Sequence, residues 1–273
     1  MSKVMVAWMV GLACCVCAGA ALAAPCSMEV SPLTLELELA PGRAHTGHIQ
    51  ITNAGDGAEH IRAYAQDWTL KPDGVVVFLP AGRLPSSASV WVTIAPAEFD
   101  LQPGQSQRVR YTIRVPEEAS GEARTVIIFE GGGRDLSISN GPSRLVPRVG
   151  TIFYVHCGPR PAGQARVLRF EPGREAGTMT VENAGPAHLR FTGELEIRSE
   201  GKLVRRSVLR PFVVLPAPFN IHRARLGPDL FAGLPAGHYE VTAILDHGGT
   251  ALLGARAELD LGPEPPLLIA SEE

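Results

Sequence analysis

The residues best suited to chemistry in this chain are its eight histidines, which invite a search for a metal site. His45 and His48 are three positions apart, on a turn and a strand, where that spacing places the side chains on opposite faces. No cysteine or carboxylate lies at a ligand-like interval from them. Surface positions are therefore predicted for the histidines, and no metal is predicted.

Motifs for covalent catalysis are also incomplete. His156 and Cys157 are a thiol and an imidazole side by side, but neighbours on a strand point apart, so a catalytic dyad is not predicted. Gly104–Arg108 lacks the second glycine of a nucleophile elbow. Gly131–Arg134 has the glycines of a phosphate loop without its lysine or helix. The chain is predicted not to be an enzyme and to use no cofactor, although an active site built from distant loops would leave no such pattern.

The N-terminal segment, residues 1–24, has the features of a secretory signal peptide. Lys3 supplies a basic start, Val4–Leu22 is apolar, and Ala21–Ala23 offers a small-x-small cleavage site. The alternative is an uncleaved anchor, because the apolar run is nearly long enough to span a bilayer. Cleavage is favoured by the small residues and the recognisable site, so the mature protein is predicted to be exported.

Cleavage would leave two cysteines, Cys26 and Cys157, in an oxidising compartment. A disulfide between them would close a long loop and would stabilise the folded protein by about 4–5 kcal/mol in the chain-entropy model. Two free thiols are the alternative, since the sequence does not give the Cα separation that decides between them.

The formal net charge of −3 and the lack of a basic stripe predict no nucleic-acid partner. No later segment has membrane-spanning length, so no membrane contact is predicted after signal cleavage.

The elements that would carry any site are strands. Trp91–Pro116 is the clearest unit, with apolar residues alternating with arginine and threonine from Val109 to Val115, as a half-buried strand requires. A Pro-Gly turn at Gln102–Gln105 precedes that strand. Similar alternating runs separated by Gly and Pro continue along the chain. They predict an all-β protein of two immunoglobulin-like β-sandwich domains in tandem.

Two stretches repeat at an offset near 130 residues, which predicts two related domains. Ile49–Gly55 reads IQITNAG, and Met179–Gly185 reads MTVENAG. The predicted divisions are a first domain at 25–157, a linker at 158–163, a second β-sandwich at 164–262 and a flexible tail at 263–273. Within the first domain, Gly131–Pro147 is predicted to be a long mobile loop with at most a short strand at 136–139.

The first domain resembles the periplasmic pilus-assembly chaperones (PapD-like). The motif runs from Trp91 through Pro96, Phe99 and Leu101 to Pro103-Gly104-Gln105-Ser106-Gln107, ending at Val109-Arg110. In the second domain the likeness covers little beyond the two-domain plan. The resemblance implies a periplasmic location, exported subunits as partners and an outer-membrane usher as a further candidate partner. It also implies binding by strand addition, in which backbone hydrogen bonds give affinity and alternate side chains fill pockets.

The positions that carry the family's activity differ in this chain. The family anchors its partner's terminal carboxylate with an Arg on the first strand and a Lys on the last. Here Thr34 and Glu36 occupy the first region, and Thr151 stands where the Lys is expected. Val149, Thr151 and Phe153, which alternate on one face, are instead predicted to form a partner-binding edge strand. The two function hypotheses are a chaperone-like protein for pilus or surface subunits and a non-catalytic structural or interaction module of the cell envelope.

Overall fold

The computed structural model describes residues 28–138, 141–174 and 177–262. These residues form nineteen β-strands and two 3₁₀ turns, at Ser89–Trp91 and Pro228–Leu230. The strands are β1 (Met28–Ser31), β2 (Thr34–Leu39), β3 (Ala44–Asn53), β4 (Glu59–Leu70), β5 (Val76–Leu79), β6 (Val92–Ala95), β7 (Glu98–Leu101), β8 (Ser106–Arg114), β9 (Gly121–Gly131), β10 (Arg134–Ile138), β11 (Gly141–Leu145), β12 (Arg148–Cys157), β13 (Ala165–Glu171), β14 (Gly177–Asn183), β15 (Leu189–Ser199), β16 (Lys202–Val214), β17 (Ile221–Leu226), β18 (Gly237–Asp246) and β19 (Leu253–Leu261).

The first sandwich packs two sheets against each other. One has the strand order β1-β3-β8-β6, and the other β2-β12-β9-β4-β5 with β7 also paired to β4. Their inner faces share one apolar core, because every second residue of a strand points to the same side. At its centre the rings of Tyr111 and Phe153 meet edge to face, with centroids 4.9 Å apart. This core fixes the positions of β9 and β12, the two strands on which the candidate sites lie.

The Trp91–Pro116 unit has the predicted form of strand, turn and strand. It contains β6, β7 and β8, and Val109, Tyr111 and Ile113 of β8 are buried. The arginines of β8 lie on the opposite, exposed face. The alternation that predicted this strand is therefore the alternation between core and solvent.

The second sandwich pairs a sheet of order β13-β14-β17 with a sheet of order β16-β15-β18-β19 around its own core. The sequence repeat marks the same turn in both sandwiches, at Asn53 and Asn183, which are both buried. Each asparagine donates from Nδ2 to the carbonyl four residues later, at 2.7 Å, and accepts at Oδ1 from the N–H two residues later, at 3.0 and 2.9 Å. The repeat exists because each turn needs a buried side chain that satisfies its backbone groups.

The predicted fold class, two immunoglobulin-like β-sandwiches in tandem, is confirmed by these sheets. The exact domain divisions stay predictions, and the signal segment and the tail lie outside the described residues. Among the residues that are described, no helix is long and apolar enough to cross a membrane.

The loop prediction for Gly131–Pro147 is wrong. β10 and β11 pair antiparallel in a two-stranded ribbon that extends the β9–β12 hairpin, with Arg134 opposite Leu145 and Ser137 opposite Pro142. Proline at position 142 disfavours a strand inside a sheet, because it has no N–H to donate, but a proline is tolerated on a strand that has an unpaired edge. In this ribbon β11 pairs only with β10, so it has such an edge.

Gly193 of β15 is expected to be essential for the second sandwich. A Cβ atom built there would lie 2.5 Å from the carbonyl oxygen of Ile244, and that carbonyl belongs to the neighbouring strand β18. The backbone would have to shift, so Gly193→Ala should lower the free energy of unfolding by about 1–3 kcal/mol in urea denaturation. Gly254→Ala in β19 is the control, since its Cβ would make only an ordinary contact at 3.9 Å. Equal losses in the two variants would contradict this steric account.

Candidate functional site

The predicted edge strand is β12, and the structure restricts the part of it that forms an edge. From Ile152 onward β12 pairs on one side with β9 and on the other, in parallel, with β2. Phe153 is therefore not at an edge, and its side chain is fully buried in the core. Thr151 is also buried, and its Oγ1 donates to the carbonyl of Pro32 at 2.7 Å. Of the three predicted residues, only Val149 is half-buried and lies where β12 has β9 as its sole partner.

The edge is open because the N-terminal strand changes sheets. β1 pairs with β3 in one sheet, whereas β2 pairs with β12 in the other. The crossing occurs between Ser31 and Thr34, so no described strand pairs with residues 148–151 of β12 on that side. The neighbouring ribbon strand β11 is likewise paired only with β10. Residues 141–151, which we call the open edge, thus have one side free of a described strand.

Backbone donors of the open edge can be assigned by alternation. The N–H of Ile152 donates to Leu33 O at 2.9 Å, on the β2 side of the strand. Because successive residues of a strand direct their N–H groups to opposite sides, those of Gly150 and Arg148 face the same side. Beyond the start of β2 no described strand lies there to accept them. An added strand would supply these acceptors.

Apolar side chains lie exposed around the open edge. Leu145 and Val146 are exposed where β11 leads into β12, and Leu33 is exposed where β2 begins. Arg148 also lies at this surface, where an ion pair joins its Nε to Glu130 Oε2 at 2.6 Å. The open edge therefore combines free backbone groups with exposed apolar side chains.

A second cluster of chemistry-bearing residues lies between the two sandwiches, and the sequence reading missed it. Glu122 of β9 and His156 of β12 are cross-strand partners, and His188, just before β15, reaches them from the second sandwich. All three are buried, and so is His222 of β17, so the prediction that the histidines lie on the surface is wrong for His156, His188 and His222. The stacked rings of Tyr154 and His188, with centroids 3.6 Å apart, close one side of the cluster.

Glu122 is the centre of this cluster. Its Oε1 accepts from Arg124 Nη1 at 3.0 Å, and its Oε2 accepts from the backbone N–H of His188 at 2.8 Å and from His188 Nδ1 at 2.7 Å. Burial acts to raise the pKa of Glu122, but the hydrogen bonds and charge of His188 and the charge of Arg124 outweigh it and hold the pKa below its usual value. Glu122 is thus an anion inside the protein. Nδ1 of His156 lies 3.9 Å from the same Oε2.

Glu36 borders the cluster on its solvent side. Its carboxylate accepts from Arg160 at 2.6 Å and from Arg190 at 2.9 Å, and its Oε1 lies 3.3 Å from His188 Nε2. Burial acts to raise the pKa of Glu36, while the Arg190 hydrogen bond and the charges of His188 and Arg160 lower it overall. Glu36 stands near the place where the resembled family has its anchoring arginine. In this chain that position joins the sandwiches.

A cleft of about 760 Å³ also lies between the sandwiches. An apolar cluster of Trp68, Tyr154 and Leu215 packs beside it, and all three side chains are buried. Four arginines and two aspartates are among the residues that line the cleft: Arg190, Arg210, Arg223, Arg225, Asp73 and Asp229. The cleft therefore has an excess of positive charge.

The His156–Cys157 pair lies within the described residues, whereas the predicted disulfide can be placed only in part. His156 points into the inter-domain cluster, whereas Cys157 packs against the core of the first sandwich, so the pair diverges as predicted. Burial raises the pKa of the Cys157 thiol, which makes it a poor nucleophile. Cys157 forms no disulfide within the described residues, and Cys26 lies outside them. The bridge stays a prediction.

Comparison with known proteins finds likeness to solved structures alone. No protein-family model matches the chain, and no curated protein does. The chaperone–tip subunit complex CsuC–CsuE of the archaic chaperone-usher Csu pili of Acinetobacter baumannii has a TM-score of 0.46 and 10% identity, covering 84% of this chain and 97% of that one. The E. coli chaperone DraB has a TM-score of 0.42 and 17% identity, with coverages of 87% and 97%.

A third similar structure is the CupB2 chaperone of Pseudomonas aeruginosa, with a TM-score of 0.41, 14% identity and coverages of 83% and 97%. Pilus chaperones, the family indicated by the Trp91–Arg110 motif, are thus among the solved structures similar to this chain. At these scores the likeness says nothing of binding residues, so function must be inferred from the chain's own residues.

Proposed function

We propose that this protein is a periplasmic chaperone-like protein that binds an exported pilus or surface subunit by adding a strand to the open edge, residues 141–151. The observation that carries the proposal is the stretch of β12 before Ile152, which has β9 on one side and no described strand on the other. A partner strand there would accept from the N–H groups of Arg148 and Gly150. It would end where β2 begins, at Thr34.

Apolar contacts support the same binding mode. Leu33, Leu145 and Val146 are exposed apolar side chains beside free backbone groups, the combination that strand addition uses for specificity and affinity. An exposed edge of this kind is a liability in a protein that has no partner for it. The Trp91–Arg110 motif of the sequence supports the chaperone class.

The inter-domain cleft is a second contact region in this proposal. Its arginines would attract an anionic group of the partner, such as a carboxylate, and would stand in for the family's basic pair, whose places are taken here by Thr34 and Glu36 in the first region and by Thr151 on the last strand. All four, Arg190, Arg210, Arg223 and Arg225, come from the second sandwich. The sequence resemblance to the chaperone family covers mainly the first domain, so it could not predict a role for these arginines.

The second candidate function is a non-catalytic interaction module of the cell envelope. The observation that favours it is the loss of the anchoring pair: Thr151 is buried against Pro32, and Glu36 is occupied by Arg160 and Arg190. Genes for an outer-membrane usher and pilus subunits beside this one would favour the chaperone, and their absence would favour the module.

The test is co-expression with the exported subunits encoded nearby, followed by isolation of a 1:1 complex. Leu33→Asp and Val146→Asp should each weaken that complex about tenfold or more, because a charge would enter an apolar contact. Both side chains are exposed, so neither change should unfold the protein.

Leu252→Asp is the matched control, since Leu252 is 64% exposed and Leu33 is 65% exposed, but Leu252 lies in the second sandwich next to β19. It should leave the complex unchanged. If no 1:1 complex is recovered with any encoded subunit, or if all three variants bind alike, the open edge is not the binding surface.

A further inference from the structure

We propose that Glu122, His156 and His188 form a zinc site that fastens the two sandwiches together. One ligand atom from each of the three buried residues lies within 4.8 Å of the others. Two imidazole nitrogens and one carboxylate oxygen are a donor set that Zn²⁺ takes in proteins, with three protein ligands and one further position. The proposal is independent of partner binding at the open edge.

The distances between the ligand atoms are such that small movements of the side chains would give tetrahedral geometry. With bonds of about 2.0–2.1 Å, ligand atoms around a tetrahedral Zn²⁺ are about 3.3 Å apart. Oε2 of Glu122 lies 2.7 Å from His188 Nδ1 and 3.9 Å from His156 Nδ1. Arg124 binds the other oxygen, Oε1, and on Oε2 the metal would take the place of the hydrogen bond from His188 Nδ1, while the backbone N–H of His188 could stay bound.

His188 has the outer partner that zinc-binding histidines typically have. A ligating imidazole usually donates its second N–H to a carboxylate, which fixes its tautomer and orientation. With Nδ1 on the metal, Nε2 of His188 would carry the proton and face Glu36 Oε1, 3.3 Å away. Arg160 and Arg190 hold that carboxylate in place.

The surroundings of His156 point the same way. Its side chain is buried, and its Nε2 has no hydrogen-bond partner within the described part of the chain. A buried imidazole nitrogen without a hydrogen bond is costly, and a metal bound through Nε2 would offset that cost, whereas a metal bound through Nδ1, which lies 3.9 Å from Glu122 Oε2, would not. The ring of His188 stacks on that of His156 with centroids 5.8 Å apart, and a ligand atom of each lies within 4.8 Å of the other.

Charge around the cluster limits the affinity but does not prevent binding. Glu122 and Glu36 bring two negative charges, whereas Arg124, Arg160 and Arg190 bring three positive ones. Zn²⁺ binds neutral imidazole, so loading this site requires both histidines to be neutral. Since the ligands come from both sandwiches, the ion would load as these close and would then hold them at one angle.

The experiment titrates the mature, chelator-treated protein with Zn²⁺ alone, by calorimetry and native mass spectrometry. We expect one ion per chain and a higher midpoint of thermal unfolding in its presence. His156→Gln and His188→Gln should each weaken binding about 100-fold or more, and Glu36→Gln about 10-fold. His238→Gln is the control, because His238 has its own exposed acidic neighbours, Glu258 and Asp260, and should not contribute.

Cobalt keeps the test decisive if a histidine variant does not fold. Co²⁺ on the unaltered protein should give the visible absorption bands of a tetrahedral nitrogen and oxygen site. The proposal is overturned if Zn²⁺ does not bind at one per chain, if Co²⁺ gives only octahedral bands, or if His238→Gln abolishes binding while His156→Gln retains it.

Discussion

Replacing Asp67 by asparagine should lower the free energy of unfolding by about 3 kcal/mol. Asp67 of β4 is buried, and its carboxylate organises the segment between β5 and β6. Oδ2 accepts from the backbone N–H groups of Arg83 and Leu84 at 2.7 and 2.8 Å, and Oδ1 accepts from the hydroxyls of Ser87 and Ser89. An asparagine of the same size would turn an amide NH₂ toward donors, so buried groups would lose their acceptor.

The same carboxylate predicts a pH dependence. Burial acts to raise the pKa of Asp67, but the hydrogen bonds from Ser87, Ser89, Leu84 and Arg83 outweigh it and hold the pKa below its usual value near 3.8. A lowered folded-state pKa adds stability that is complete above the unfolded pKa and is lost as pH falls through the folded pKa. The difference between the unaltered protein and Asp67→Asn should therefore shrink below about pH 4.

Urea denaturation at neutral pH and at successively lower pH measures both effects. Asp100→Asn is the control, because Asp100 is exposed and its carboxylate contacts only His60 among the described hydrogen bonds. A loss for Asp67→Asn that stays the same at pH 3 would contradict the role given to its charge.

Replacing Arg124 by methionine should cost about 3–5 kcal/mol, which makes it the most damaging single change we predict. Arg124 is 2% exposed, and its guanidinium binds Glu122 Oε1 and the hydroxyl of Ser86. Methionine fills similar space but leaves the buried Glu122 carboxylate without the guanidinium on its Oε1. The lost contact with Ser86 would also loosen the segment that Asp67 organises.

Thermal or urea unfolding measures this loss, and Arg110→Met on the exposed face of β8 should show no measurable change. Glu122→Gln combined with Arg124→Met removes both charges. It should recover part of the stability that Arg124→Met loses, since no unpaired buried charge would remain. A double variant that is less stable than either single variant would contradict this pairing.

Local patterns predicted the strands because burial in a sandwich alternates residue by residue. The β8 strand and the repeated turns at Asn53 and Asn183 were visible in this way. The ribbon of β10 and β11 was not, because Pro142 argues against a strand unless the unpaired edge is known. Phe153 was misplaced on an edge for a related reason: the strand that covers it, β2, begins more than a hundred residues earlier.

The inter-domain cluster could not be predicted because its members are distant in sequence. Strand pairing brings Glu122 opposite His156, and only the meeting of the two sandwiches adds His188. One signal was available: His156 interrupts the otherwise apolar run from Ile152 to Cys157, and a polar residue in a buried strand needs a partner. The sequence does not say which partner.

The central claim is that a partner strand pairs with the open edge, and residue-resolved amide hydrogen exchange of the isolated complex tests it most directly. The amides of Arg148 and Gly150 should exchange readily in the free protein and become protected in the complex, while that of Ile152 is protected in both. Protection confined to the second sandwich, with Arg148 and Gly150 still exchanging freely in the complex, would contradict strand addition at this edge.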